Sequence, residues 1–302
     1  MFTRARTWFD AQSFGVQLLL LFLLVFVLRT WGFGLYQVPT GSMETTMLQG
    51  ERFFADKFTV LFTPIKRGNI ISFLDPTYSY ASNKFMNFVQ RYVSIPLSSQ
   101  YAGVPLIGGP SNWTKRVIGI PGDHVQGRLE DGKAVVYRNG IKLDEPYVNK
   151  YPLIALWTCD AQYREKWEYF LRNQHLLGKS IEYRSFDESK PYAAQPFYCM
   201  SEERTVKGPF IEKLRRPEVG ASEDVFDVSL GANEYWVMGD NRKGSFDSRG
   251  WGILKGSLIH GRIIFRLWSL DSAESWWIVE LIKHPIDFFK RIRWNRWMQR
   301  VV

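Results

Sequence analysis

The hydrophobic positions of this chain form one long run near the N-terminus and many short runs after it. The long run, Phe14–Leu28, carries no charge and a single polar residue, Gln17. A helix that spans a bilayer needs about 20 predominantly apolar residues. Residues 14–36 supply that length when the side chain of Arg29 extends its charge toward the lipid headgroups. The pattern therefore predicts one N-terminal transmembrane helix over residues 14–36.

The flanks of this run indicate its orientation in a membrane. A cleavable signal peptide has a similar apolar core, but no A-x-A-like cleavage site follows the run, which favours a permanent anchor. Arg4 and Arg6 precede it, and positive charge favours the cytoplasmic side. We therefore expect a cytoplasmic N-terminus (residues 1–13) and a single pass through the inner (cytoplasmic) membrane. The body would then lie on the exported side, periplasmic or extracellular.

The short runs beyond the anchor are separated by Gly, Pro, Asn and Asp, which is typical of strands joined by turns. Asn139-Gly140, between two such runs, is the clearest hairpin turn. These features predict a mostly β body made of residues 37–149 and 231–269. The runs predicted as strands are Arg52–Phe54, Asn69–Phe73, Thr114–Ile120, Ala134–Arg138, Glu234–Met238 and Leu258–Leu267.

Two segments depart from the β pattern. Residues 150–230 are more charged, and we interpret them as a smaller inserted lobe with a short helix at Glu165–Leu176. They hold both cysteines, Cys159 and Cys199, which form one disulfide in an oxidising compartment or two thiols in a reducing one. The tail, residues 270–302, mixes Trp, Phe and Ile with Lys and Arg. This composition suits either an interfacial helix on anionic lipid or a helix packed on the body with a solvated basic face.

Charge and metal-ligand content narrow the partners. The formal net charge of +9 suits anionic lipid or nucleic acid, although net charge alone is weak evidence. We expect a lipid bilayer and no nucleic acid, and the sequence does not specify an oligomeric state. The two cysteines form no C-x-x-C pair and the four histidines have no metal-ligand spacing, so we expect no metal and no cofactor.

Three polar segments are candidates for chemistry. In Val38-Pro39-Thr40-Gly41-Ser42-Met43, Pro39 and Gly41 restrict and tighten the backbone, which leaves Ser42 at a defined exposed position. Taken alone, this segment is better interpreted as an ordinary turn. The third segment, residues 238–252, is rich in Gly, Asp, Asn and Ser after an apolar strand, which suits a rigid hydrogen-bonded loop or a surface turn.

The second segment contains a lysine with unusual surroundings. Read as a strand, Thr114–Ile120 places Lys115 on the same face as Trp113 and Val117. Apolar surroundings disfavour the charged amine and lower its pKa from about 10.4. A neutral amine is able to deprotonate a serine at neutral pH. A lysine at a strand end that reaches water is the alternative.

Together, in this order, the three segments resemble the boxes of the type I signal peptidases. That family has an N-terminal anchor, a serine box, a lysine box and a late box. Here they stand as GSM at 41–43, KRVIGIPGD at 115–123 and GDNRKGSFDSRGWG at 239–252. The resemblance covers the anchor, the serine box and most of the β body. It does not cover residues 150–230 or roughly the last thirty.

The resemblance implies a signal-peptidase-like β body and a serine endopeptidase that removes signal peptides from exported preproteins at small-x-small sites. Ser42 would be the acylated nucleophile and Lys115 the general base. The Thr40 hydroxyl and the Ser42 backbone N–H would bind the oxyanion, and Ser245 would orient the lysine amine. The resemblance further implies a supporting pair, Asp247 and Arg249, and shallow substrate pockets lined by Val38, Met43, Met47, Trp113 and Thr114.

The chain departs from the family pattern at two places. Met43-Glu44-Thr45-Thr46 lacks the proline of the common M-x-P-T continuation, and Lys243-Gly244 replaces the usual Asp-Asn. A membrane-tethered binding or scaffold protein is therefore the alternative to a protease. The presence of Ser42, Lys115, Thr40 and Ser245 favours the protease, because a catalytically inactive descendant has little reason to keep all four.

Overall fold

The computed structural model describes the anchor and most of the β body. The inserted lobe of residues 150–230 falls almost wholly outside the described residues, together with both cysteines and the helix predicted at Glu165–Leu176. The described residues are 2–38, 40–43, 46–48, 50–93, 109–130, 133–148, 224–242, 245–270, 277–283, 285–290 and 292–301.

The N-terminal segment is helical but shorter than predicted. Helix α1 spans Phe2–Asp10 and helix α2 spans Phe14–Val27, continued by a π-helical turn to Gly32. Among the described residues, Phe14–Gly32 is the one helix long and apolar enough to cross a membrane. The prediction of an anchor to residue 36 is wrong, because residues 33–36 belong to a strand. The helix ends where the carbonyl of Gly32 accepts hydrogen bonds from the N–H groups of Lys57 and Phe58.

The body is built on an eight-stranded antiparallel sheet and a second sheet of four strands. All six predicted strands are confirmed within a few residues, five of them in the larger sheet and Ala134–Arg138 in the smaller one. Seven strands follow the order β1-β2-β11-β3-β4-β9-β10, and β12 pairs with β11. They are β1 (Phe33–Gln37), β2 (Arg52–Asp56), β3 (Ile70–Leu74), β4 (Asn112–Gly119), β9 (Glu234–Met238), β10 (Leu254–Lys255), β11 (Ile259–Trp268) and β12 (Gln299–Arg300).

A second sheet of four strands has the order β7-β6-β5-β8. Its strands are β5 (His124–Glu130), β6 (Lys133–Arg138), β7 (Ile141–Lys142) and β8 (Phe226–Ser229). The predicted hairpin is confirmed, since Asn139 and Gly140 join β6 to β7 with φ values of 53° and 79°. Positive φ at both positions is what a type I′ turn requires.

Hydrophobic clusters lie on both faces of the larger sheet. One cluster forms around Ile71, Phe73, Val117 and Val237 on the face that also carries Lys115. A second one packs Met43 and Met47 of the loop between β1 and β2 against Phe53, Ile70 and Ile263. The loop that contains Ser42 is therefore tied to the core by its own apolar side chains.

The tail packs on the body, which is one of the two alternatives for it. Short helices α5 (Trp277–Lys283) and α6 (Pro285–Lys290) follow β11, and Phe288 and Ile292 are buried with Leu270. Trp297 stacks on Trp268 with ring centroids 5.9 Å apart. The remaining helices are α3 (Lys84–Phe88) and α4 (Ser248–Trp251). Contact of the tail with lipid stays a prediction.

Candidate active site

Ser42 lies in the loop between β1 and β2, within a 3-10 turn at Gly41–Met43. Asn241, just beyond β9, holds this turn at two points. Its backbone N–H donates to the carbonyl of Ser42 at 3.1 Å, and its side-chain amide donates to the carbonyl of Gly41 at 3.0 Å. Ser42 is half-buried, and its position is therefore fixed by the late polar loop, about 200 residues away in the sequence.

The close approach of the two loops depends on Gly239. A Cβ added at this residue would lie 2.4 Å from the carbonyl oxygen of Ser42 and 2.3 Å from the hydroxyl of Ser245. Real Cβ atoms do not come that near to other heavy atoms. Glycine is the residue that permits such backbone contact, so Gly239 allows the loop that contains Ser42 to lie against the end of β9.

Lys115 lies in the middle of β4, between β3 and β9, and its Nζ is 2.8 Å from the Oγ of Ser42. The side chain is only 5% exposed, and its cross-strand neighbour is Ile71. Burial is the main reason that the pKa of the Lys115 amine falls from 10.5 to about 8; Asp247 and Asp240 oppose this shift and the Arg249 guanidinium adds to it. The sequence placed Lys115 correctly on an apolar face.

An ion pair stands beside the lysine on the opposite face of β4. Arg116 donates to both carboxylate oxygens of Asp240 at 2.8 Å, and both side chains are buried. The guanidinium also lies 4.0 Å from the centroid of the Tyr147 ring. Sequence reasoning assigned no role to Arg116, Asp240 or Asn241, although all three lie inside the quoted boxes. Their position in those boxes was the signal available.

The predicted pair of Asp247 and Arg249 is formed. The guanidinium donates to both carboxylate oxygens of Asp247 at 2.9 Å, and Asp247 accepts a further bond from the N–H of Gly239. Burial alone would raise the pKa of Asp247, but Arg249 and these hydrogen bonds hold it below its usual value. Asp247 is also the N-cap of α4, and its side chain accepts a hydrogen bond from the N–H of Arg249.

The hydrogen bond expected between Ser245 and Lys115 is not formed. The Ser245 hydroxyl is buried and makes no hydrogen bond within the described part of the chain. A Cβ added at Gly239 would lie 2.3 Å from this hydroxyl, so Ser245 packs directly against the backbone of Gly239. Any role of Ser245 in orienting Lys115 therefore stays a prediction.

The other predicted site residues are divided between the surface and the core. Thr40 is half-buried and lies two residues before Ser42. Of the predicted pocket residues, Val38, Met43 and Met47 are buried around Phe53 rather than displayed on an open wall. Trp113 packs against Phe73, Phe246 and Trp251, whereas Thr114 is half-buried on β4. Substrate contact by these five stays a prediction.

The two histidines in the described part of the chain make their polar contacts elsewhere. His124 pairs with Asp227 at 2.5 Å, and His260 lies 2.7 Å from the side-chain oxygen of Asn112. The polar contact that the structure records at the Ser42 hydroxyl comes instead from a lysine.

Comparison with known proteins agrees with this geometry. Residues 11–268 match the family described as signal peptidase, peptidase S26. The chain belongs to the signal peptidase family. This S26 signal peptidase is a serine protease of the signal peptidase I type, a hydrolase. The match ends at Trp268 and leaves out the tail.

Relatives of this signal peptidase come from several bacteria. Signal peptidase I of Buchnera aphidicola subsp. Schizaphis graminum is 26% identical over 85% of this chain and 74% of its own length. Signal peptidase I of Rickettsia felis is 24% identical over 86% of this chain and 82% of its own length. The crystal structure of a signal peptidase I from Enterococcus faecalis aligns with 66% of this chain and 97% of its own at 17% identity, with a TM-score of 0.27.

The buried amine predicts an unusual pH dependence of stability. The pKa of Lys115 is lower in the folded than in the unfolded chain, so folding loses stability as pH falls from about 10.5 to about 8. Lys115→Met should therefore raise the free energy of unfolding at pH 7 by on the order of 1–3 kcal/mol, and much less at pH 10. Urea unfolding at both pH values measures this.

The matched control for that experiment is Lys66→Met, which removes an exposed lysine. It should leave the free energy of unfolding within about 0.5 kcal/mol at either pH. If Lys115→Met changes the free energy of unfolding equally at pH 7 and pH 10, burial does not lower the pKa of Lys115.

Proposed function

We propose that this protein is a membrane-anchored serine endopeptidase that cleaves signal peptides from exported preproteins at small-x-small sites through a Ser42/Lys115 dyad. The observation that carries the proposal is the 2.8 Å contact between the Ser42 hydroxyl and a buried lysine amine. The names of the relatives, signal peptidase I, support this substrate class.

The proposed reaction begins with proton transfer from the Ser42 hydroxyl to the neutral amine of Lys115. The Oγ of Ser42 attacks the scissile carbonyl carbon, and the carbonyl π electrons move to oxygen. The Ser42 N–H and the Thr40 hydroxyl stabilise this oxyanion. When the tetrahedral intermediate collapses, the C–N bond breaks and the Lys115 ammonium protonates the leaving amine. An acyl ester remains on Ser42.

Deacylation uses the same groups a second time. Lys115, neutral again, takes a proton from a water molecule as the water attacks the ester carbonyl. Collapse of the second intermediate breaks the bond to Ser42 Oγ, which regains its proton from Lys115. The mature protein leaves with a new N-terminal amine and the signal peptide with a new carboxylate. One base thus serves both halves of the reaction.

The structure around Lys115 explains how one lysine can act at neutral pH. Its two nearest carboxylates are already engaged, Asp247 by Arg249 and Asp240 by Arg116. Neither one is bonded to the amine, so desolvation prevails and the pKa falls to about 8. A base with a pKa near the working pH combines an adequate unprotonated fraction with sufficient driving force for proton transfer.

We further propose that the helix ending at Gly32 anchors this site in the inner membrane, with residues 1–13 in the cytoplasm and the catalytic body on the exported side. Ser42 follows Gly32 by ten residues, five of which form β1. An extended chain of that length spans at most about 35 Å. The nucleophile therefore stays close to the bilayer, where an inserted leader segment presents its cleavage site.

The dyad is tested by removing each member. Ser42→Ala and Lys115→Ala should each lower cleavage of a purified preprotein by more than about 10³-fold, because either change removes the nucleophile or its base. Gel analysis of precursor and mature forms measures this. Lys66→Ala, at an exposed lysine, should cleave as the wild type does. Equal cleavage by all variants would eliminate the dyad.

The pH profile tests which group is the base. Because Lys115 must be neutral, kcat/KM should rise with pH and reach half of its maximum near pH 8. Lys57 is the matched control, since its pKa is also lowered to about 8 by burial and by Arg29. Lys57→Met should keep the profile. If the midpoint of the pH profile of kcat/KM shifts in Lys57→Met, Lys57 and not Lys115 is the group that controls the profile.

The oxyanion role is tested at Thr40. Thr40→Val keeps the shape of the side chain and removes its hydroxyl, so kcat should fall by about 10²–10³-fold with little change in KM. Thr40→Ser retains a hydroxyl and should stay near wild-type activity. A valine variant within a few-fold of the wild type would assign the oxyanion to other donors.

A further inference from the structure

A second buried charge cluster lies at the far end of the Ser42 loop. Glu51, the residue before β2, is fully buried. Its carboxylate accepts hydrogen bonds from the N–H of Leu48 at 2.9 Å and from the hydroxyl of Ser269 at 2.8 Å. Two arginines neutralise it, Arg266 at 3.1 Å and Arg296 at 2.5 Å. A buried carboxylate requires such partners, and here the tail supplies one of them.

Arg296 also reaches the nucleophile loop directly. Its guanidinium donates to the backbone carbonyl of Thr46 at 3.1 Å, and Arg266 donates to the same carbonyl at 2.6 Å. Thr46 follows Ser42 by four residues, and Met47 closes the turn by donating its N–H to the carbonyl of Met43 at 2.9 Å. Two cationic donors thus fix the returning half of the loop.

The same threonine connects the cluster to the lysine side of the site. Its hydroxyl donates to Asp240 at 2.5 Å, and Asp240 is paired with Arg116, the residue next to Lys115. The neighbour of Asp240, Asn241, binds the carbonyl of Ser42. Hydrogen bonds, together with the adjacent residue pairs Asp240-Asn241 and Lys115-Arg116, therefore connect the tail to both members of the dyad.

This contact is separate from the apolar packing of the tail. Leu270, Phe288 and Ile292 pack with Trp268 and Trp297 in a hydrophobic cluster that contains no residue of the Ser42 loop. Loss of Arg296 would leave Glu51 paired with Arg266 and bonded to Ser269. The carboxylate would not be orphaned, so the fold survives while one of the two donors to Thr46 is removed.

We propose that Arg296 is a positioning residue for Ser42, so that the tail beyond the family match is part of the catalytic apparatus. Arg296 fixes the Thr46 carbonyl and, through Thr46 and Asp240, the distance between Ser42 and Lys115. The proposal rests on the proposed function of the dyad. Misplacement of a reacting group by about 1 Å can cost two orders of magnitude in rate.

The experiment compares Arg296→Met with Arg296→Lys in the full-length protein in detergent. Cleavage of a soluble signal-peptide substrate should show kcat about tenfold or more lower in Arg296→Met, with KM within about twofold of the wild-type value, because the pockets are untouched. Arg296→Lys keeps the charge and should recover part of kcat. Amide hydrogen exchange at Met47 and Asn241 should accelerate in Arg296→Met.

Two controls separate positioning from stability. Ile292→Ala removes buried packing within the same tail and should lower Tm, yet kcat measured well below Tm should stay at the wild-type value. Arg300→Met removes an exposed arginine of β12 and should change neither quantity. An Arg296→Met kcat within twofold of wild type, or an equal loss in Ile292→Ala, overturns the proposal. If the wild type itself does not cleave, the proposed function fails, and unchanged exchange at Met47 and Asn241 overturns the positioning role independently.

Discussion

The structure of the site depends on one constraint, the exclusion of water from the Lys115 amine while it touches the Ser42 hydroxyl. A charged ammonium in that place loses hydration that no salt bridge restores, since the nearby carboxylates of Asp240 and Asp247 are held by arginines. The neutral amine avoids this cost. Burial therefore lowers the pKa of the amine, as the proposed dyad requires, and the same burial makes the site a local weakness in the stability of the body.

The buried ion pairs around the site fix the positions of backbone and side chains more than they add to the free energy of unfolding. Buried ion pairs repay their desolvation only when geometry and hydrogen bonding are complete. Asp247, Asp240 and Glu51 each accept from a guanidinium and from at least one other donor. The described part of the loop between β1 and β2 has one short 3-10 turn, Gly41–Met43, and no strand. Side-chain hydrogen bonds therefore hold its backbone in place, as strand pairing does within a sheet. The loop is thereby held from the late polar loop, from β11 and from the tail at once.

The sequence anticipates local features better than distant contacts. Alternating runs located the six strands, Asn139-Gly140 located a hairpin, and period two placed Lys115 among apolar neighbours. These follow from interactions between residues close in the chain. Strand β11 pairs with β2 across about 200 residues of sequence, and Glu51 pairs with Arg296 across 245. No periodicity encodes such pairs. The predicted anchor is longer than the observed helix, because Phe33–Gln37 is apolar enough for either a helix or a strand. Its pairing with β2 makes this segment a strand.

The connection between the N-terminal helix and the body supports a fixed distance between the proposed membrane anchor and the Ser42 loop. Lys57 donates to the carbonyl of Arg29 at 2.7 Å, within the last helical turn, while its own N–H and that of Phe58 bind the carbonyl of Gly32. Trp31 stacks near Tyr92 with ring centroids 6.3 Å apart. These bonds satisfy carbonyls that a helix end leaves free, and they leave no flexible linker before β1. In the proposed membrane-anchored protein, the five-residue β1 alone, roughly 17 Å of strand, separates the end of the anchor from the nucleophile loop. In that proposed protein, we expect a rigid connection of this length to select cleavage sites by their depth in the membrane.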